Sequence, residues 1–239
     1  MALSSPTNKS IQWAFEVVNK NWESIAEVFR TIKPDDNFPE KICALIHALK
    51  ETQGGDYYHD VVGQILDTLD ENPELHFLGA GSFSACFRSN SNVVYKFNIL
   101  GEDIDASVSY ATQSHNNPSP FAPFVANVCH YEESYCIQTE LLTPYERQTY
   151  TYPQITEYNE VIMSKDSDKF FKYIKQLIAA EVDGEKPDVT LSSCKNFIEL
   201  IHNSINSIQD FRTKMARLDT GSDNMMWREN QIVFNDPMF

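Results

Sequence analysis

A chain of 239 residues, 42% hydrophobic and 12% aromatic, can bury a core of its own. That excludes a disordered protein and a small fold dependent on disulfide staples. Its 34 acids against 19 bases give a formal charge of -15, which argues against direct nucleic-acid binding, since phosphates would be repelled, and favours basic partners.

No apolar run reaches the ~18 residues of a membrane span, and "MALSSPTNKS" lacks the apolar centre of a signal peptide, so the expected setting is the cytoplasm, with no membrane partner. The five cysteines, Cys43, Cys86, Cys129, Cys136 and Cys194, are odd in number and form no CxxC, which speaks against a disulfide framework or a zinc site. "CHYEESYC" sets His130 beside two of them, but it alternates like a strand pair and brings no second ligand cluster.

Residues 1–70 read as helices. Ile11, Phe15, Val18, Trp22, Ile25, Phe29 and Ile32 keep an unbroken 4-3 spacing, one stripe on one helix. "KPDDNFPEK" breaks it. Asn37 then caps a second helix, with Pro39 in its first turn and Ile42, Leu45, Ile46 and Leu49 on the buried side. Asp56 is the expected cap of a third, carrying Val62, Ile65, Leu66 and Leu69. From Leu75 the pattern alternates: "ELHFLGAG", "SACFRS" and "NVVYKFNI" read as three strands joined by short turns. "EDIDASVSYATQSH" reads as a helix and "NPSPFAPFV" as a loop. "FVANVCHYEE" and "SYCIQTELL" are two more strands. Residues 155–165 and 168–182 read as helical, and Thr190 caps a long helix running to about Lys214. "NMMW" and "QIVFN" close the chain as a hairpin. Segregated strands and helices indicate an α+β fold with two lobes.

The chemistry starts at "LGAGSFSACF". Gly79 and Gly81 allow backbone conformations that other residues resist, so a strand-turn-strand here can lay N–H groups along a polyphosphate. No GK[ST] follows, so it is not a Walker loop. A strand follows in place of a helix, so it is not a Rossmann turn. Strand, glycines, strand, turn and lysine-bearing strand is the order of protein kinases, with Ser84 where their third glycine stands. A plain hairpin with a glycine corner is the competing reading. Lys96 lies in "VVYKF", where a buried lysine is costly unless it meets an anion such as the phosphates of ATP. On a one-sided strand it would simply point outward.

Far along the chain, "ARLDTGSDNMMWRENQIVFNDPMF" follows the long helix with Asp219, then Asn224 five positions on, then a hairpin and Asp236. In a kinase the aspartate orients the substrate hydroxyl and takes its proton, while the asparagine and the second aspartate hold magnesium. The expected set is therefore Asp219 and Lys96 as catalytic residues, and Asn224 and Asp236 for Mg2+. Gly79, Ala80, Gly81, Ser82, Phe83, Ser84 and Lys96 would hold ATP. Glu140 and Leu142 would offer backbone groups to adenine, with Thr139 at the gatekeeper position.

"LGAGSFSACF", "VVYKF" and "DTGSDNMMW…NDPMF" together resemble the early serine/threonine protein kinases of T7-like bacteriophages, from about residue 75 to the C-terminus. The resemblance implies a protein-kinase-like two-lobed fold, with a five-stranded antiparallel N-lobe at 71–142 and a shortened helical C-lobe at 143–239; the helical segment at 1–70 matches the family only in general character. It implies phosphorylation of host proteins early in infection, transcription and RNA-processing machinery among them, in the host cytoplasm. The basic extension of larger members, linked to transcription shut-off, is expected to be absent.

Departures accompany the match. Arg217 stands where common kinases have histidine, "DPM" replaces DFG, and no activation loop follows. The acid that should pair with Lys96 is unassigned among Glu102, Asp103 and Asp105. These departures leave an alternative, a non-catalytic kinase-like protein that binds and blocks a host factor. A DNA mimic is disfavoured, because the acids are diluted by 19 basic residues and come in short runs.

Overall fold

The computed structural model describes residues 3–53, 55–81, 84–98, 104–144, 159–182, 185–208 and 224–235. Contacts divide the chain into two compact units. One comprises Met1–Ile104 and Val125–Leu141, the other Asp105–Phe124 and Leu142–Phe239.

The first unit opens with α1 (Asn8–Val18) and α2 (Trp22–Thr31). The stripe from Ile11 to Ile32, expected on one helix, is thus split in two. Asn21 is the cause: its backbone is extended, and its Oδ1 accepts the Ser24 N–H at 3.0 Å. A polar side chain that caps the next turn competes well with helix continuation. The 4-3 phase survives the break, so Val18, Ile25, Phe29 and Ile32 are all buried. Glu40 fastens the start of α1, accepting the Thr7 N–H at 2.8 Å and the Ser10 hydroxyl at 2.5 Å.

Helix α3 (Phe38–Gln53) is buried on every side from Ile42 to Leu49, as a helix without a polar face must be. It lies against α1, against α4 (Gly55–Asp70), and against the sheet. Asp56, the expected cap, falls inside α4. Asn72 follows α4 and is buried; its Nδ2 donates to the carbonyls of Phe29 and Ile32 at 3.0 and 2.9 Å, and its Oδ1 accepts the Glu74 N–H at 3.0 Å. One side chain thereby satisfies the end of α2 and starts the first strand.

Five strands follow: β1 (Leu75–Ala80), β2 (Ser84–Ser89), β3 (Val93–Asn98), β4 (Val125–Tyr131) and β5 (Ser134–Glu140). They form one antiparallel sheet in the order β1-β2-β3-β5-β4. Ala85, Phe87, Tyr95, Phe97, Cys129 and Cys136 share a single core with α1 to α4, so the helices of residues 1–70 and the sheet bury one another. Phe38 meets Tyr95 at 4.4 Å, and Phe87 stacks on Phe97 at 5.8 Å. None of the five cysteines is in a disulfide, and burial pushes the Cys136 thiol well up.

The second unit holds α5 (Ile104–Asn116) apart from its first residue, a two-residue strand β6 (Thr143–Pro144), helical residues 159–163, α6 (Ser167–Glu181), α7 (Leu191–Ser207), β7 (Met225–Arg228) and β8 (Gln231–Phe234). Thr190 and Ser193 form the expected cap of α7, but the helix stops at Ser207 instead of near Lys214, with Ile208 extended. Strand β6, absent from the sequence reading, adds to the terminal hairpin in the order β6-β7-β8. Phe121, Phe170, Phe197 and Phe234 pack ring on ring at the centre of this unit. Among the described residues no helix is long and apolar enough to cross a membrane.

Asn72→Ala should lower stability by about 2–3 kcal/mol, because two buried carbonyls lose their donor. Urea unfolding checks this; an unchanged midpoint would contradict it.

Candidate functional site

The expected residues fall in both units. In the first unit the glycine stretch forms the end of edge strand β1. Pairing runs Phe77 with Phe87, then Gly79 with Cys86, so Leu78 is the extra residue of a bulge. Gly79 has φ 157, a backbone conformation that L side chains rarely adopt, and a Cβ there would meet nothing within 4 Å. Glycine supplies the corner, and the space beside it is open. Gly81 donates its N–H to the Ser84 carbonyl at 2.8 Å, closing the turn. Ala80 pairs with Ala85, and Ser84 with Asn98. Ser82 and Phe83 lie outside the described residues.

Register places the lysine. Cys86 pairs with Lys96, and Lys96 pairs with Ile137. Gly79, Cys86, Lys96 and Ile137 therefore form one row across the sheet. Two strand spacings separate Gly79 from Lys96, about 10 Å. Tyr95 and Phe97 enter the helical core, so alternation puts Lys96 on the opposite face, where it is half-buried. Two steps along β3, Val94 is buried on that same face, so the face is not a plain solvent face.

Strand β5 carries Thr139, paired with Val94 and Val125, and ends at Glu140. Leu141 is exposed, and the division between the units falls between it and the buried Leu142. The segment expected to line adenine is thus one of the three places where the chain passes from one unit to the other.

In the second unit Asn224 immediately precedes β7, and its carbonyl accepts the Asn235 N–H at 2.8 Å. The hairpin base therefore brings Asn224 beside the residue that precedes Asp236. Two further bonds fix this strand end. The Phe234 N–H donates to the Phe121 carbonyl at 2.8 Å, and the Tyr110 hydroxyl donates to the Phe234 carbonyl at 2.6 Å. Arg228 holds the other end, donating to the carbonyls of Pro120 and Ala122 at 3.1 and 2.9 Å. Asp219 and Asp236 lie outside the described residues.

Of the acids considered for Lys96, Glu102 and Asp103 also lie outside the described residues, while Asp105 is in the first turn of α5. That helix joins the second unit: the Ser109 hydroxyl donates to the Ser204 carbonyl at 2.6 Å, and Tyr110 reaches β8. Tyr110 and Phe121 were missed as positioning residues. No sequence spacing links a tyrosine in a helix to a strand 124 residues later.

No protein-family model matches the chain, and no curated protein matches it. Among solved structures, the streptomycin–ATP–APH(2")-IIa ternary complex is similar at 16% identity, over 72% of this chain and 69% of that one, with a TM-score of 0.29. The first unit provides a five-stranded antiparallel sheet in the order β1-β2-β3-β5-β4, and in chain order α5, which belongs to the second unit, falls between its third and fourth strands. It has a glycine corner between strands one and two and a lysine on strand three, the arrangement of a protein-kinase small lobe.

Tyr110→Phe should destabilise the protein by about 1–2 kcal/mol, since the Phe234 carbonyl loses a buried donor. Denaturation with two probes, one for each unit, checks this. No change in either transition would contradict the positioning role.

Proposed function

We propose that the chain is an ATP- and magnesium-dependent phosphotransferase that modifies serine and threonine hydroxyls of host proteins. The observation that supports it most is the row in which a glycine corner at Gly79 stands two strands from Lys96 on a sheet of kinase order. In this reading N–H groups of the 79–84 turn, other than that of Gly81, which closes the turn on Ser84, join the Lys96 ammonium in neutralising and aligning the triphosphate, and the backbone from Glu140 to Leu142 meets adenine. The substrate hydroxyl oxygen attacks the γ-phosphorus, the bond to the bridging oxygen breaks, ADP leaves, and Asp219 takes the hydroxyl proton.

The amide oxygen of Asn224 and the carboxylate of Asp236 are the hard donors that magnesium prefers. The bond between Asn224 and Asn235 is a fit for two ligands that must act together. Magnesium would supply charge neutralisation on the phosphate oxygens. The residues would do little covalent chemistry; most of the rate would come from positioning and electrostatics. Assignment to the early kinases of T7-like phages, and host transcription or RNA-processing proteins as substrates, rest on the motifs of residues 75–239 alone.

One observation favours the blocking-protein alternative. In the sequence, "DPM" stands where kinases carry DFG. Two variants separate the readings. Asp236→Asn should weaken magnesium-dependent ATP binding together with transfer. Asp219→Asn should keep ATP affinity near wild type and lose transfer by ~100-fold or more, the scale of a lost general base. Calorimetric ATP titration with and without magnesium, paired with labelled-phosphate transfer into bacterial lysate, reads both. Wild type that binds no ATP would overturn the kinase reading. Wild type that binds ATP but never transfers phosphate would leave the blocking protein.

A further inference from the structure

We propose a divalent transition-metal site, separate from the phosphotransfer residues, formed by His47, Glu51 and Glu132, with zinc as the ion its chemistry fits. The ligand atoms of these three residues all lie within 4.8 Å of one another. His47 and Glu51 are four apart on α3, so they stand one turn apart on the same helix face. Glu132 comes from the two-residue turn that joins β4 to β5. The site therefore bridges a helix and a hairpin of the same unit.

Burial and spacing point to a ligand. The His47 side chain is only 9% exposed, against 59% for Glu132. Its ring sits edge-on to Tyr131 at 4.8 Å and to Phe15 at 5.9 Å. Its Nδ1 is 3.6 Å from Glu132 Oε2, longer than a hydrogen bond. At that distance Glu132 is the ring's ion-pair partner, and a cation set between the two would be held by both. Two donors on one tetrahedral zinc, each at about 2.0–2.2 Å, would stand about 3.4 Å apart. The His47–Glu132 gap of 3.6 Å is close to that separation, and all three donors lie within 4.8 Å of one another. One nitrogen and two carboxylate donors leave a fourth position for water. The exposed carboxylates open the site to solvent, while the imidazole beneath is fixed by its aromatic neighbours. The adjacent Lys50 ammonium is engaged elsewhere, donating to the Glu133 carbonyl at 2.7 Å. Zinc here would tie α3 to the β4–β5 hairpin.

The test is titration of metal-free full-length protein with zinc, without nucleotide, by calorimetry and thermal melting. One equivalent should bind and raise the melting temperature. Glu51→Gln and Glu132→Gln, both at exposed positions, should each weaken binding tenfold or more and abolish the zinc-dependent rise, while leaving the metal-free melting temperature unchanged. Cobalt(II) as a spectroscopic probe should show visible bands without thiolate charge transfer, which separates this site from the buried cysteines. Wild-type affinity in both variants, a thiolate band, or no zinc binding at millimolar concentration would each overturn the proposal. None of these outcomes bears on ATP binding or phosphate transfer, so the two proposals fail independently.

Discussion

Helix α3 has no polar face between Ile42 and Leu49, and this burial requirement organises the first unit. Such a helix must be covered all round. The sheet provides part of the cover, and α1 and α4 provide more. That is why the N-terminal helices are not an appendage: removing them would expose α3, and removing α3 would expose Tyr95, Phe97 and Cys136 of the sheet. The polar groups trapped nearby find partners. Cys43 Sγ donates to the Ser134 carbonyl at 3.3 Å. Lys50 and Asn98 both donate to the Glu133 carbonyl, and Asn98 Oδ1 accepts the Tyr135 N–H. The β4–β5 hairpin is therefore pinned to α3 and β3 by side chains as well as by its own ladder.

The same core sets the candidate site. Strand side chains alternate, so fixing Tyr95 and Phe97 against the helices forces Lys96 to the other face. A slip of one residue would drive the ammonium into the α3 core at a cost the fold could not sustain. Register then places Cys86 and Gly79 in line with it. Packing on one face thus determines chemistry on the other. In the second unit a comparable logic operates through backbone groups. The Phe234 ring is buried among Phe170 and Phe197, and its N–H and carbonyl are held by Phe121 and Tyr110. The chain leading to Asp236 therefore starts from a fixed point.

Much of this was legible in the sequence, for physical reasons. Period-two alternation with glycine punctuation marked all five strands of the sheet and the terminal hairpin, and Thr190 marked the start of α7. Other features were hidden. The 4-3 stripe runs across the junction of α1 and α2 without losing phase, so the cap at Asn21 left no trace in the apolar pattern. Strand β6 is two residues long, too short to show alternation. The membership of α5 in the second unit depends on Ser109 and Tyr110 meeting residues about a hundred positions away. His47 and Glu132 are joined only by the packing of α3 on the hairpin. "CHYEESYC" stands out in the sequence for its cysteines, whereas of the two glutamates between them it is Glu132 that lies beside His47.

The phosphotransfer account turns on what Lys96 does on the second face of the sheet. Single-turnover transfer of labelled phosphate, measured for wild type and Lys96→Ala at saturating ATP and magnesium, tests this most directly. The account predicts a loss of ~100-fold or more in the chemical step with an unchanged urea midpoint, since the contact would act on the reacting phosphates and not on the core. Transfer at the wild-type rate by a folded Lys96→Ala protein would contradict it and leave the row from Gly79 to Lys96 as an ordinary hairpin with a glycine corner.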